Sequence, residues 1–157
     1  MPKNLRIPHS DSAATSTIFY GVQKSTHLEV AIKVSKNEPN LTEIKVYEQM
    51  SPSRQSTVKL FDWFSEGGNN FIVTRRQSDR DLLSYMRKHC LSYLTEKELT
   101  MGAPTIFKAL KALHDQGYLH NAIQPSHIYL HAHRCNDMDC KVRLRVRLGG
   151  FSKTSLI

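Results

Sequence analysis

Residues 141–148 read KVRLRVRL, in which Lys141, Arg143, Arg145 and Arg147 alternate with Val142, Leu144, Val146 and Leu148. Side chains switch faces at every residue of a strand but recur every 3.6 residues on a helix, so a period of two specifies a strand. This strand has one basic and one apolar face. The basic face suits an exposed, aggregation-resistant edge or the footprint of an acidic partner. Other runs follow the same grammar. Residues 17–22 and 28–34 are apolar and β-branched, and the polar QKSTH between them makes a hairpin by composition. Residues 57–76, TVKLFDWFSEGGNNFIVTRR, read as strand, Gly-Gly-Asn-Asn turn, strand.

Three stretches change to a helical period. NLTEIKVYEQM puts Leu41, Ile44 and Tyr47 on one side, with Pro39 delaying the start. Asn40 and Glu43 have the spacing of a capping box, in which the carboxylate would reach back to the first helical N–H groups. SDRDLLSYMRKH predicts a short helix capped by Ser78, with Asp81 three residues on. Thr95 and Glu98 repeat the box before a longer helix, along which Leu99, Ala103, Ile106, Leu110 and Leu113 form an apolar face. Pro104 predicts a kink or restart inside it, and Gly117 ends it.

Residues 118–130, YLHNAIQPSHIYL, carry a resemblance. They resemble the catalytic loop of a eukaryotic protein kinase, whose pattern is His-Arg-Asp, a Leu-Lys-Pro, any residue, Asn, then an apolar strand. His120, Pro125, Ile128 and Leu130 fit the pattern. Asn121 stands for the Arg, Ala122 for the catalytic Asp, Gln124 for the Lys and His127 for the metal-binding Asn. The strand 141–148 then runs into LGGFSK, where Phe151 keeps the Phe of Asp-Phe-Gly, Gly150 stands for its Asp and Ser152 for its Gly.

The resemblance implies an α+β kinase-like fold. A polar segment at 1–16 precedes a small lobe over about 17–76, a twisted antiparallel sheet with one C-helix. A partial large lobe over about 77–157 follows, with the D- and E-helices and the catalytic-loop hairpin, so the domain would be truncated just after the Asp-Phe-Gly position. Its nucleotide contacts would be Ala31 and Lys33 of the VAIK strand, Glu43 as the lysine's partner, and Thr74 as gatekeeper. Leu60 would be a core-spine residue, and Arg75 and Arg76 would open the hinge, or else be solvated surface charge. The family's glycine-rich loop would fall near Asp11, Ala13 and Ser16, where side chains and a carboxylate oppose a tight phosphate cradle. ATP binding without catalysis is therefore the expectation. Mg2+ is not expected, since both of its anchors are replaced.

No apolar run is long enough for a membrane span, and the N-terminus lacks the apolar core of a signal peptide. An intracellular location, cytoplasmic or nuclear, follows by default, and three cysteines suit a reducing compartment. His131, His133, Cys135 and Cys140 are possible zinc ligands, but H-x-H-x-C-x4-C matches no standard finger. A net charge of +8 favours acidic partners. Nucleic acid lacks any finger, aromatic signature or basic helix to support it. With the rest of a large lobe missing, the helix face from Leu99 to Leu113 calls for a partner, a second copy or a folded-back segment. The sequence thus describes a pseudokinase that binds or regulates proteins. Its alternatives are a serine/threonine kinase fragment that transfers phosphate from ATP, or a decayed gene product.

Overall fold

The computed structural model of the chain describes residues 16–36, 38–50, 56–77, 81–92, 94–133 and 143–157. Asp11, Ala13, Ser78, Cys135 and Cys140 lie outside the described residues, as do the side chains of His131, His133, Arg143 and Arg145. The element order is β1 (Ser16–Val22), β2 (Glu29–Ser35), α1 (Leu41–Gln49), β3 (Leu60–Glu66), β4 (Asn69–Arg75), α2 (Leu82–Lys88), α3 (Glu96–Asp115), β5 (Tyr118–Leu119), β6 (Ile128–His133), β7 (Arg143–Leu148) and β8 (Ser155–Leu156). Single 3-10 turns precede β6 (Pro125–His127) and β8 (Phe151–Lys153).

The first four strands form one antiparallel sheet in the order β1-β2-β4-β3, and with α1 they make the expected small lobe. Its first strand begins at Ser16, which pairs with Ser35, so the sheet claims the last residue assigned to the polar segment. The β3–β4 connection is shorter than Gly-Gly-Asn-Asn. Gly67 and Gly68, at φ +57° and +73°, make the whole turn, and Asn69 already belongs to β4. Two left-handed residues give the twist that matches antiparallel strands, and glycine adopts that conformation without a Cβ clash.

Helix starts depend on what each cap touches. At α1 the Asn40 side chain accepts from the Glu43 N–H at 3.0 Å, so one half of the capping box forms. At α2 the cap is Asp81 rather than Ser78: its carboxylate accepts from both the N–H and the hydroxyl of Ser84 at 2.8 Å. Asp81 also bridges to Tyr129 of β6, so tertiary docking selects it over an equally suitable residue type upstream.

The long helix runs through Pro104 as one element of 20 residues, without a restart. Its buried line is Gly102, Ala109 and Leu113, with Ile106 packed beside them, which is rotated from the expected stripe; Leu99 is 51% exposed. The cause is β7. A Cβ on Gly102 would stand 3.1 Å from Val146 Cγ2, so the glycine lets helix and strand approach. The chain therefore covers the Leu113 end of this face itself, while Leu99 is left exposed.

One core cluster joins both lobes: Ile44, Val46 and Tyr47 of α1 with Met50 at its C-cap, Val58, Ile72 of β4, Ala109 and Leu113 of α3, Tyr118, Leu148 and Phe151. Backbone bonds fasten the same junction, from Val58 N–H to the Leu148 carbonyl (3.0 Å) and from Leu148 N–H to the Ser56 carbonyl (2.8 Å). A Leu113→Ala variant should lose about 2–5 kcal/mol of unfolding free energy in urea, as for a fully buried leucine. Leu99→Ala should change it by no more than about 0.5 kcal/mol. Equal losses at the two positions would contradict the rotated stripe.

Candidate functional site

A cleft of about 800 Å³ opens between the sheet and the Pro125–His127 turn. Strand alternation brings Ala31 and Lys33 of β2 to one face, beside Ile72 and Thr74 of β4, and all four line it with Glu43. Ser126, His127, Tyr129 and Gly150 line the opposite side. Lys33 Nζ reaches both carboxylate oxygens of Glu43, at 2.9 and 2.6 Å. This contact decides between the two roles open to Glu43: its backbone N–H serves the helix cap while its carboxylate serves the lysine. The carboxylate is almost fully buried at 3% exposure, so removing the lysine would leave an uncompensated buried charge. Thr74 Oγ1 lies 3.4 Å from the Ala31 carbonyl, a weak bond that holds its small side chain against β2.

Below this pair, four replaced positions lock onto one another. His127 Nδ1 lies 2.7 Å from the Ala122 carbonyl. A carbonyl only accepts, so Nδ1 carries the proton and Nε2 is left to accept from the Gln124 amide at 3.2 Å. Both nitrogens of the neutral ring are thus used within the loop. Gly150 faces the same ring. A Cβ there would stand 2.4 Å from Cγ, 2.5 Å from Cδ2 and 2.7 Å from Nδ1 of His127, and the residue sits at φ +75°. The imidazole therefore occupies the space that a side chain on residue 150 would need. Mg2+ takes oxygen ligands at short range, and this corner supplies a glycine, a fully bonded imidazole, an amide and the methyl of Ala122. These residues do not fit Mg2+. Among the described residues no group of three His, Cys, Asp or Glu could hold a metal ion.

His120 is buried at 2% exposure and oriented from both sides. The Ala122 N–H donates to its Nδ1 at 3.2 Å, so the proton sits on Nε2, which donates to the Gly149 carbonyl at 3.0 Å. Burial, opposed in part by the bond to Gly149, holds its pKa below the ordinary 6.5. Phe151 packs against its ring at 5.4 Å between centroids and meets Tyr47 edge-on at 4.9 Å. The Tyr47 hydroxyl is pushed well above the ordinary phenol value, first by burial and then by Glu43 and Tyr129. Asn121, at φ +59°, donates its amide to the Lys153 carbonyl (3.2 Å) and Ser155 Oγ (2.8 Å), tying the loop to the segment after Phe151.

Sequence reasoning missed three residues of this cleft. Tyr129 faces opposite to Ile128 and Leu130 along β6, and burial, followed by Asp81, Tyr20 and Glu43, pushes its phenol up to about 12. Period two on HIYL could have pointed it toward the cleft. Tyr20 lies under the Arg76 guanidinium at 4.8 Å, and Arg76 also pairs with Glu29 at 3.5 Å, so this arginine is held rather than free. Gln77 donates to the Arg75 carbonyl at 3.0 Å and accepts from Arg147 at 2.8 Å, which joins the hinge to β7. No signal in the sequence joins residues 70 positions apart. Arg147 consequently has a place inside the fold besides the basic face of its strand.

The arrangement of an ion-paired strand lysine, a histidine-anchored loop and a buried phenylalanine agrees with a family comparison, in which the protein kinase domain matches residues 12–146. The chain belongs to the protein kinase domain family. Ribosomal protein S6 kinase alpha-1 of Mus musculus is 29% identical over 135 residues, which cover 84% of this chain and 18% of that protein. Ribosomal protein S6 kinase 2 alpha of Xenopus laevis is 28% identical over 68% of the chain and 14% of its own length. The MAP kinase-interacting serine/threonine-protein kinase mnk-1 of Caenorhabditis elegans is 24% identical over 76% of the chain and 18% of its own length. This kinase-family chain thus spans less than a fifth of each of these relatives. No helix among its described residues is long and apolar enough to cross a membrane.

The lock between residues 127 and 150 has a measurable consequence. Gly150→Asp alone should destabilise the chain by more than the roughly 1–2 kcal/mol of left-handed backbone strain, because its Cβ also meets the imidazole. In a His127→Asn background the same change should cost the backbone part alone, and a double-mutant cycle in urea measures the difference. Additive losses would mean that the two positions are independent. His120 gives a pH dependence of known sign. Its folded pKa lies below the unfolded value, so the unfolded chain binds more protons and stability should fall as pH drops below about 6.5. Urea unfolding across that range, compared with His120→Gln, should show a shallower slope in the variant.

Proposed function

We propose that this chain is a catalytically inactive kinase-like domain, a pseudokinase, that acts as a protein-binding or regulatory module and whose cleft admits a nucleotide without Mg2+. The observation that carries this reading is the imidazole of His127 seated against Gly150. Phosphoryl transfer in this family depends on metal ions held by an Asp and an Asn and on a loop Asp that takes the substrate proton. Here the His127 ring fills the space a side chain at Gly150 would need, and Ala122 has no group to accept a proton, a role worth on the order of 10²–10⁴ in rate. The relatives are kinases by name, but a transfer reaction in this chain would need a different base and a different way of balancing phosphate charge. The intact Lys33–Glu43 pair and the open cleft support retained nucleotide contact through Ala31, Lys33, Glu43 and Thr74.

Two binding surfaces belong to this proposal. On α3, Leu99 and Phe107 are exposed, the latter at 68%, and they form the partner-facing part of the helix. Arg143, Arg145 and Arg147 belong to the same proposal as a footprint for an acidic partner, with Arg147 also bonded to Gln77.

Two assays on the purified chain test this reading. Radiolabelled ATP should give no transfer to the chain itself or to added peptides, with or without Mg2+. ATP at high concentration should raise the melting temperature equally in Mg2+ and in EDTA, and Lys33→Ala should remove the rise. Label transfer that Lys33→Ala abolishes, or a thermal shift that requires Mg2+, would overturn it.

A further inference from the structure

The two edges of the four-stranded sheet are built differently. β3 carries Asp62 and Glu66, a register irregularity between Leu60 and Asp62, and a tryptophan whose Nε1 donates to Glu48 at 3.2 Å. Charges and bulges of this kind keep an edge strand from pairing with another chain. β1 has neither. Its sequence STIFYGV holds no charge and no proline, its residues pair one to one with β2, and β2 is its one neighbour among the described residues.

The open edge can be assigned to particular atoms. Gln23 donates its N–H to the Leu28 carbonyl at 2.9 Å, whereas the Glu29 carbonyl accepts from Arg76 on the far side of β2, at 3.1 Å. Bonded and non-bonded pairs alternate along an antiparallel ladder, so the odd residues of β1 bond β2 while Ile18, Tyr20 and Val22 turn their N–H and C=O outward. The side chains agree. On the sheet face opposite Lys33, Phe64, Phe71, Val34 and Thr17 form one row, and Val73, Ile32 and Phe19 the next. None of them belongs to either core cluster, and both rows stop at β1. The two charges on β2, Glu29 and Lys33, are already paired with Arg76 and Glu43.

We propose that β1 pairs antiparallel with β1 of a second copy, about a two-fold axis at Phe19, so that one sheet runs through both copies. That register sets Ile18 against Tyr20 and Ser16 against Val22, which joins the outward backbone groups to each other. It also brings the two Phe19 rings together, so the apolar row continues across the axis. An uncharged strand meets no like charge in its own copy and offers none to attract a charged peptide, which assigns the edge to a second copy. The pairing is independent of what the cleft binds.

Sedimentation equilibrium of the whole chain should show a monomer–dimer equilibrium. Ile18→Pro removes an outward N–H and leaves the β2 ladder intact; the two-fold loses two bonds, so association should weaken about tenfold or more. Val22→Pro makes the same test at the strand end if Ile18→Pro has no cooperative melting curve. Phe107→Lys on α3 should leave the dimer unchanged. Amide exchange read by NMR should find Ile18, Tyr20 and Val22 protected where the dimer is populated and unprotected on dilution. A monomer at every concentration, or a dimer lost in Phe107→Lys and kept in a folded proline variant, would overturn the proposal. So would protection of these amides that dilution does not change, since the residues before Ser16 would then be what covers the edge.

Discussion

Burial of Phe151 is the constraint on which the two halves of this chain depend. The ring sits with no exposed surface between Tyr47 of α1 and His120 of the loop, in the cluster that α3 and Leu148 complete. Because α1 is held there, Glu43 lies within reach of Lys33, and because His120 is held there, its Nε2 meets the Gly149 carbonyl. A fully buried aromatic ring is worth several kcal/mol of packing, on the order of 3–5 kcal/mol when truncated. That energy is spent on geometry rather than on chemistry. The same packing brings the Lys33–Glu43 pair and the 120–127 loop to opposite sides of one cleft.

The replacements are mutually consistent rather than scattered. His127 takes the volume that Gly150 vacates, its proton goes to the Ala122 carbonyl, and its free lone pair goes to Gln124. Asn121 adopts the left-handed backbone that asparagine tolerates well, and its amide secures Lys153 and Ser155. Gln124 and His127 bond within the loop, and Asn121 bonds outside it to the segment after Phe151, so the loop keeps a defined shape.

Legibility in the sequence followed the range of each interaction. Local signals read correctly: the period of two in β7, the helix start after Asn40, the glycines at the β3–β4 turn and the order of motifs from Lys33 to Phe151. Signals that compete locally did not. Ser78 and Asp81 are both good caps by residue type, and Asp81 takes the position, accepting from Ser84 and bridging to Tyr129. The expected face of α3 holds at Ile106, Leu110 and Leu113 but not at the exposed Leu99, because the closest contact at that end is made by Gly102, which has no side chain for a hydrophobic pattern to register. Glu43 was open to two partners, and the three-dimensional distance to Lys33 assigned its carboxylate.

By itself the sequence determined the family, the α+β class, and which residue types stand at 122, 124, 127 and 150, because residue identity at spaced positions is a one-dimensional property. The tertiary structure alone decided that these positions interlock. That Gly150 excludes a side chain because of His127, that Gln77 reaches Arg147 behind the hinge, and that Tyr129 looks into the cleft are facts about atoms far apart in the chain. Hard-core repulsion and hydrogen-bond geometry act over a few ångströms of space, and no pattern along the chain encodes which distant residues those few ångströms will join.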